Sequence, residues 1–540
     1  MESALTARFG LMTPTGFPVG VFAWEGPVER AVERPSLLGP EGPVEEGERG
    51  VPAHFQDLHL DELEAALFTP HGGMGLEAIF RRPLQDGKAV VHRQRVAQDL
   101  EAEPLAQAFR TFFRGMENMR KGLELAEGAR HPWQKRLYFL LAAEAYLEAL
   151  EGLWKGFLGH PPRSPGLQGY RAYLEAYRGS PDFLKLRADR ERTRSALDGL
   201  RYVLHVHEGR LALRAYQGEP DYGRQVAETF RPFFGERPPS WQGRDLPPGP
   251  WLNHVEEWIV DHLALLFPEA FGRLEAFFQD HQGFADPALL RLEKEARFFL
   301  AYLDFIAPLR EAGLPFAYPE VAHEPPFLAQ EAFDLVLAAK LLFQGSLPVT
   351  NGFLFDDARI LVVTGPNQGG KTTFARMVGQ VYYLFALGLP VPGSRARLLL
   401  PDRILTHFEA RENPEELRSK LEEDLRRLKT LLDGATDRSL LILNEPFASA
   451  ALLDARLIGR FVLERIRARG SLGGVVTFLD ELARFPGTRS LVAEVDPEDP
   501  ARRTFRILER PADGKAYALA LAEKYGLTYA RLKERLGGGP

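Results

Sequence analysis

Two spacings of hydrophobic residues divide this chain. Up to about Ala312 the apolar positions mostly recur at three- and four-residue steps, the period of a helix with one buried stripe. From about Leu314 short β-branched runs alternate with helical stretches, the pattern of an α/β domain. In the first part Phe55 to Phe68 predicts an amphipathic helix. His92 to about Leu158 predicts long helices, including Trp133-Gln-Lys-Arg-Leu-Tyr-Phe-Leu-Leu-Ala-Ala-Glu-Ala-Tyr146, and Pro161, Pro162 and Pro165 break the pattern. Further helical runs are expected over Pro181 to Leu200 and from Trp251 to about Ala312. Between them, Tyr202-Val-Leu-His-Val-His207 and Leu211-Ala-Leu-Arg-Ala-Tyr216 alternate around Gly209, which predicts a β-hairpin. Pro232 to Pro250 reads as a connector. Residues 1–50 are rich in Gly, Pro and Glu without a sustained period, and are expected to be an irregular lead-in. The expected division is 1–50 lead-in, 51–313 helical region with a small β element, and 314–540 α/β domain, ending in a frayed Gly537-Gly-Gly-Pro540.

Composition narrows the chemistry. The chain is 45% hydrophobic, ample for sizeable cores. It has no cysteine, which removes disulfides, thiolate zinc sites and cysteine nucleophiles. No run approaches the ~18 uncharged apolar residues of a membrane span. The first ten residues, MESALTARFG, lack an apolar signal core, so a cytoplasmic protein without membrane contact is expected. A net charge of −7 gives no overall pull toward nucleic acid, so DNA contact would need local basic faces. Two stretches offer them. Seven Lys or Arg face three Glu between Arg110 and Arg136, and eight face five acids between Asp182 and Arg214. Arg187, Arg190, Arg194 and Arg201 recur at three-, four- and seven-residue steps, so one helix face is a candidate for phosphate contact. A solvated helix face explains the same charges. His205 and His207 alternate on the hairpin with no metal-like partners nearby and read as surface histidines.

The segment Thr364-Gly365-Pro366-Asn367-Gln368-Gly369-Gly370-Lys371-Thr372 carries the strongest chemical signal. It fits the phosphate-binding spacing G-x-x-x-x-G-K-[ST]. Arg359-Ile-Leu-Val-Val-Thr364 before it reads as a buried strand, and Thr373 to Leu387 after it has helical spacing. Glycines let backbone N–H groups face phosphates, and a helix N-terminus adds positive potential. Lys371 would reach the β- and γ-phosphates, and the Thr372 hydroxyl would ligate Mg²⁺. A glycine turn between strand and helix would not need Lys371 followed by Thr372.

Ser439-Leu-Leu-Ile-Leu-Asn444-Glu445 is the candidate second element. Its apolar residues lead to a polar pair at the strand's carboxyl end, where parallel sheets place ligands. Glu445 would orient and deprotonate water. Asn444 would hold a Mg²⁺-bound water, more weakly than an aspartate because it carries no charge. The alternative is a buried strand ending in a helix cap, with Pro446 in the first turn.

With these elements in place, about Asn351 to Leu536 resembles the ATPase domain of the MutS mismatch-repair family, a branch of the ABC-type ATPases. Thr364-Gly-Pro-Asn-Gln-Gly-Gly-Lys-Thr-Thr373 is similar to the family's T-G-P-N-M-G-G-K-S-T. Leu387-Gly-Leu-Pro-Val-Pro392 resembles G-x-x-V-P, and Asp402-Arg-Ile-Leu-Thr406 resembles D-R-I-F-T. Arg418-Ser-Lys-Leu-Glu-Glu-Asp-Leu425 lies where the family has R-S-T-F-x-x-E-M, and Val476-Thr-Phe-Leu-Asp-Glu-Leu482 lies at A-T-H-Y-x-E-L. The departures are Asn444 for the acidic residue, Phe478 for the switch histidine, Lys420 for a threonine, and Pro446-Phe-Ala-Ser-Ala450 for a glycine-rich stretch. The resemblance implies a C-terminal phosphate-loop ATPase with ATP and Mg²⁺ as ligands. Gly365 through Thr373 would bind nucleotide, Thr372 and Asn444 would face the metal, and Lys371, Asn444 and Glu445 would act in hydrolysis, slowed by the departures. It also implies a homodimer in which Ser419 completes the partner's site. The helical part, from His92-Arg-Gln-Arg-Val-Ala-Gln-Asp-Leu100 onward, resembles the family's core, lever and clamp. No Phe-x-Glu pair in an N-terminal α/β module accompanies it, so DNA structure rather than a mismatch is the expected target. The rival is an ATP-binding scaffold or switch for a protein partner, with no DNA role.

Overall fold

The computed structural model describes residues 35–40, 50–72, 74–208, 210–219, 252–408, 420–446, 450–496 and 503–512. Among them the chain is part helical and part α/β. The first helices are α1 (His54–Asp57), α2 (Leu60–Phe68), α3 (Glu77–Phe80) and α4 (Gly87–Leu100). The helix expected over Phe55 to Phe68 is split, because His59 sits in the left-handed region at φ 57°. The break turns α1 toward the α/β part, where Asp57 accepts from Thr406 Oγ1 at 2.6 Å.

The long helices α5 (Glu103–Gly128) and α6 (Pro132–Gly159) run antiparallel at very short range. A Cβ on Gly115 would lie 2.5 Å from Cβ of Ala149, and one on Gly122 would lie 2.9 Å from Cβ of Ala142. Only the missing side chain allows that approach, so any larger residue there would push the pair apart. Next come α7 (Pro165–Arg178), α8 (Pro181–Asp198), and the hairpin of β1 (Tyr202–His207) and β2 (Arg210–Ala215), paired antiparallel from Tyr202↔Ala215 to His207↔Arg210. The helices α9 (His254–Leu266), α10 (Pro268–Asp280) and α11 (Pro287–Glu311) complete the helical part. The connector expected at Pro232 to Pro250 lies outside the described residues.

The lead-in differs from expectation over its described residues. Leu37 and Leu38 are buried, and Glu295 of α11 accepts from Ser36 Oγ at 3.0 Å and Leu37 N–H at 2.6 Å. Arg93 Nε donates to the Leu38 carbonyl at 2.9 Å. Irregular backbone is tolerated here because side chains satisfy its polar groups.

Several cations of the basic stretches are paired from within. Arg110 pairs with Glu103 and Asp304, and Arg120 makes two bonds to buried Glu293 at 2.7 and 2.8 Å. Arg136 pairs with Glu275, and Arg194 with Glu144 and Asp198. Spacing along a helix cannot reveal acids delivered by other helices.

The α/β part contains β3 (Phe316–Ala317), β4 (Glu320–Val321), β5 (Phe327–Ala332), α12 (Leu335–Phe343), β6 (Asn351–Phe355), β7 (Ile360–Thr364), α13 (Lys371–Ala386), β8 (Val391–Pro392), β9 (Arg395–Leu398) and β10 (Ile404–Phe408). It continues with α14 (Lys420–Gly434), β11 (Leu440–Asn444), α15 (Leu452–Arg469), β12 (Leu472–Val476), β13 (Thr488–Val495) and β14 (Arg503–Glu509). The main sheet has the order β10-β11-β12-β7-β13-β14, parallel except for the antiparallel edge strand β14. β7 and β11 are buried at every position, as strands covered on both faces must be. Helix α13 ties the sheet to the helical part. Tyr383 donates its hydroxyl to the Phe80 carbonyl at 2.6 Å, Gln380 donates to the Leu58 carbonyl at 3.0 Å, and Arg93 donates to the Leu387 carbonyl at 3.2 Å. Among the described residues no helix is long and apolar enough to cross a membrane.

Candidate nucleotide site

The glycine loop leaves β7 at Thr364 and enters α13 at Lys371. Gly365 and Gly370 take φ of 117° and 90°, and Gln368 reaches 60°. A Cβ on Gly365 would also lie 3.0 Å from Ala493 on β13, so that position is closed by conformation and by space. Gly369 N–H bonds back to the Pro366 carbonyl at 3.3 Å, closing the turn around Asn367 and Gln368.

Lys371 folds over its own loop. Its Nζ donates to the Gly365 and Pro366 carbonyls at 3.1 and 3.0 Å and stands 3.9 Å from Glu445 Oε1. The residue is only 5% exposed, more enclosed than a loop lysine read from sequence. Burial lowers its pKa, against the raising influence of Glu445. Thr372 Oγ1 donates to Asn444 Oδ1 at 2.9 Å, which joins the start of α13 to the end of β11. Thr373 lines the adjoining cleft.

Glu445 follows Asn444 at φ 50°, and its N–H bonds to the Val476 carbonyl at 2.9 Å. A non-glycine residue in the left-handed region is strained, and surrounding structure must hold it there. The conformation turns the carboxylate from the sheet toward Lys371. Pro446 lies in a turn rather than in a helix, since α15 starts at Leu452, so the helix-cap alternative for this pair does not describe the local geometry. Phe478, which stands where the switch histidine was expected, is 47% exposed. Ser419 lies outside the described residues.

A cleft of about 640 Å³ opens beside the loop, within the size of ordinary small-molecule sites. Its apolar wall includes Leu341, Leu347, Val349 and Phe505. Sequence reading missed these residues because they come from both sides of the loop, far along the chain. Asn351 organises them: its Nδ2 donates to the Phe505 carbonyl at 3.1 Å and its Oδ1 accepts from Ile507 N–H at 2.7 Å. A polar loop with a buried cation beside an apolar cleft suits a ligand with anionic and planar ends, as ATP has. Thr372, Asn444 and Glu445 supply only oxygen donors, the set a hard Mg²⁺ ion takes, with one negative charge among them. The residues therefore fit both groups. Among the described residues no cluster of three or more His, Asp or Glu has metal-binding geometry.

Residues 361–527 match MutS domain V. This segment is related to the MutS family, and the likeness extends over about a third of the chain. It is 30% identical over 189 residues to Endonuclease MutS2 of Thermus thermophilus, covering 34% of this chain and 25% of that protein. It is 33% identical over 189 residues to Endonuclease MutS2 of Thermomicrobium roseum, covering 34% and 24%. DNA mismatch repair protein MutS 2 of Halobacterium salinarum is 32% identical over 183 residues, covering 33% and 20%. The chain spans about a quarter or less of the length of these relatives. The MutS-related segment begins within β7 and takes in the glycine loop, Asn444 and Glu445.

Proposed function

We propose that residues 314–540 form an ATP-binding, slowly hydrolysing MutS-like domain, and that 51–313 form a helical core, lever and clamp through which the protein acts on DNA structures. The observation that carries this reading is the convergence of Lys371, Thr372, Asn444 and Glu445 at the carboxyl ends of β7 and β11, beside the cleft. Loop amides from Gly365 to Gly370 and the Lys371 ammonium hold the phosphates. Thr372 and Asn444 would hold Mg²⁺, whose charge would offset that of the phosphates. Glu445 orients the attacking water and accepts its proton. Asn444 carries no charge and Phe478 cannot transfer a proton, so turnover is slow. Two copies close on ATP, with Ser419 of each completing the other's site, and the complex favours branched DNA over a mismatched pair.

Lys371→Ala tests the nucleotide part: ATP affinity falls severely while the thermal melt of the unliganded protein stays cooperative. Unchanged affinity in a folded variant refutes the phosphate-loop reading. The DNA part is tested by retention on linear, branched and G·T-containing duplexes at several salt concentrations. Binding that weakens steeply with salt and favours the branched form supports it. A several-fold preference for the G·T pair refutes it.

The internal ion pairs of Arg110, Arg120, Arg136 and Arg194 favour a second reading, an ATP-bound switch for a protein partner without a DNA role. Absence of DNA binding even at low salt would establish that reading over the first.

A further inference from the structure

Arg503 opens β14, far along the chain from the glycine loop, yet its Nε donates to the Asn367 carbonyl at 3.3 Å. Lys371 feels its charge, for the guanidinium adds to the lowering of the lysine pKa. The strand that carries Arg503 is held against the loop. Phe505, two residues on, sits against the loop: a Cβ on Gly370 would lie 3.7 Å from Phe505 Cα. Asn351 clamps this stretch through the Phe505 carbonyl and Ile507 N–H. Lys371, Glu445 and Arg503 therefore form one charged group at the loop, while Asn444 remains neutral beside Thr372.

We propose that Arg503 is a phosphate-binding residue of this site, a second cation that contacts the terminal phosphates and supplies part of the positive charge that a carboxylate-held Mg²⁺ would otherwise provide. The proposal rests on the nucleotide reading above. A guanidinium carries five donors in a planar fork that matches phosphate oxygens, and its bond to the Asn367 carbonyl brings it to the loop. Glu445, which faces the attacking water in that reading, stands 3.9 Å from Lys371 Nζ, which places the charged group at the terminal-phosphate end. With an amide at position 444 the site attracts Mg²⁺ less, so more of the phosphate charge falls to the protein's own cations. Nucleotide affinity should then depend on phosphate number and only modestly on Mg²⁺.

The test is calorimetric binding of ATP, ADP and AMP, each with Mg²⁺ and with EDTA, to the wild-type chain, Arg503→Gln and Arg503→Lys. Arg503→Gln should lose about ten- to a hundredfold in ATP affinity, the range for one charge-assisted contact, less for ADP, and little for AMP. The loss should be larger in EDTA, and Arg503→Lys should recover part of it. Unliganded melting should not change. Unaltered ATP affinity in Arg503→Gln overturns the proposal, as does an equal loss for all three nucleotides, which would mean that Arg503 only shapes the loop. A wild-type chain that binds no nucleotide overturns the nucleotide reading and this proposal with it. Wild-type binding matched by Arg503→Gln overturns this proposal alone.

Discussion

Replacing Asn444 by aspartate exchanges one amide group for a carboxylate oxygen and adds one charge at the centre of the site. Asn444 is 9% exposed, and its Oδ1 accepts from Thr372 Oγ1 at 2.9 Å. In the unliganded protein the new carboxylate would lie beside Glu445. Burying a charge costs several kcal/mol, of which the Thr372 bond, now charge-assisted, returns about 1.5–3 kcal/mol in place of about 1. The net expectation is a loss of about 1–3 kcal/mol in unliganded stability. With Mg²⁺ and ATP the sign reverses. A carboxylate about 4 Å from a divalent ion gains about 8 kcal/mol at an effective dielectric of ~20, and desolvation removes most of it. A residue of about 1.4–2.8 kcal/mol makes Mg²⁺ about ten- to a hundredfold more effective in supporting ATP binding. The assay pairs urea unfolding without ligand with Mg²⁺ titration of ATP binding, and follows phosphate release. Asn444→Asp should be less stable alone, more responsive to Mg²⁺, and faster in hydrolysis. A Mg²⁺ response equal to wild type, or slower hydrolysis, would refute the reasoning and mean that the site is rebuilt around the amide.

Glu445→Gln should retain ATP and slow any hydrolysis by about a hundredfold or more, as expected for loss of a general base; near wild-type turnover would assign the water to another residue. His54 packs against Phe55 and Tyr383, its Nε2 has no hydrogen-bond partner, and burial pulls its pKa from 6.5 to about 4. A base with a lowered folded pKa favours folding in its neutral form, so this contribution is complete above pH 6.5 and is lost as pH falls toward 4. The full loss is about 3 kcal/mol, and burial lowers the pKa of His92 and His407 in the same direction. His54→Gln should therefore narrow the gap between urea midpoints at neutral and acid pH, and an unchanged gap would acquit His54. Tyr383→Phe leaves the buried Phe80 carbonyl without its 2.6 Å donor and should cost about 1–3 kcal/mol by urea unfolding. A smaller loss would mean that α13 shifts or water reaches the carbonyl.

The sequence alone determined the features that depend on local spacing. The helical periods, the hairpin at Tyr202–Ala215, the α/β character after about Leu314, and the glycine loop between β7 and α13 all follow from side chains within one or two turns of each other. Asn444 and Glu445 were legible as a pair because an apolar strand must end somewhere, and its carboxyl end is where a parallel sheet exposes polar groups. Local spacing could not show what distant residues contribute. The break at His59 serves the contact of Asp57 with Thr406, and the burial of Leu37 and Leu38 depends on Glu295, far along the chain. Some of the basic residues are paired by acids on other elements, Arg194 by Glu144 and Arg120 by Glu293 among them. At the site itself, only folding brought Asn351, Phe505 and Arg503 to the loop, by placing β14 at the sheet edge beside β13. Periodicity reports which face of an element is buried. The partner that buries it is set by topology, and topology decided which charges gather at the glycine loop and which are paired within the protein.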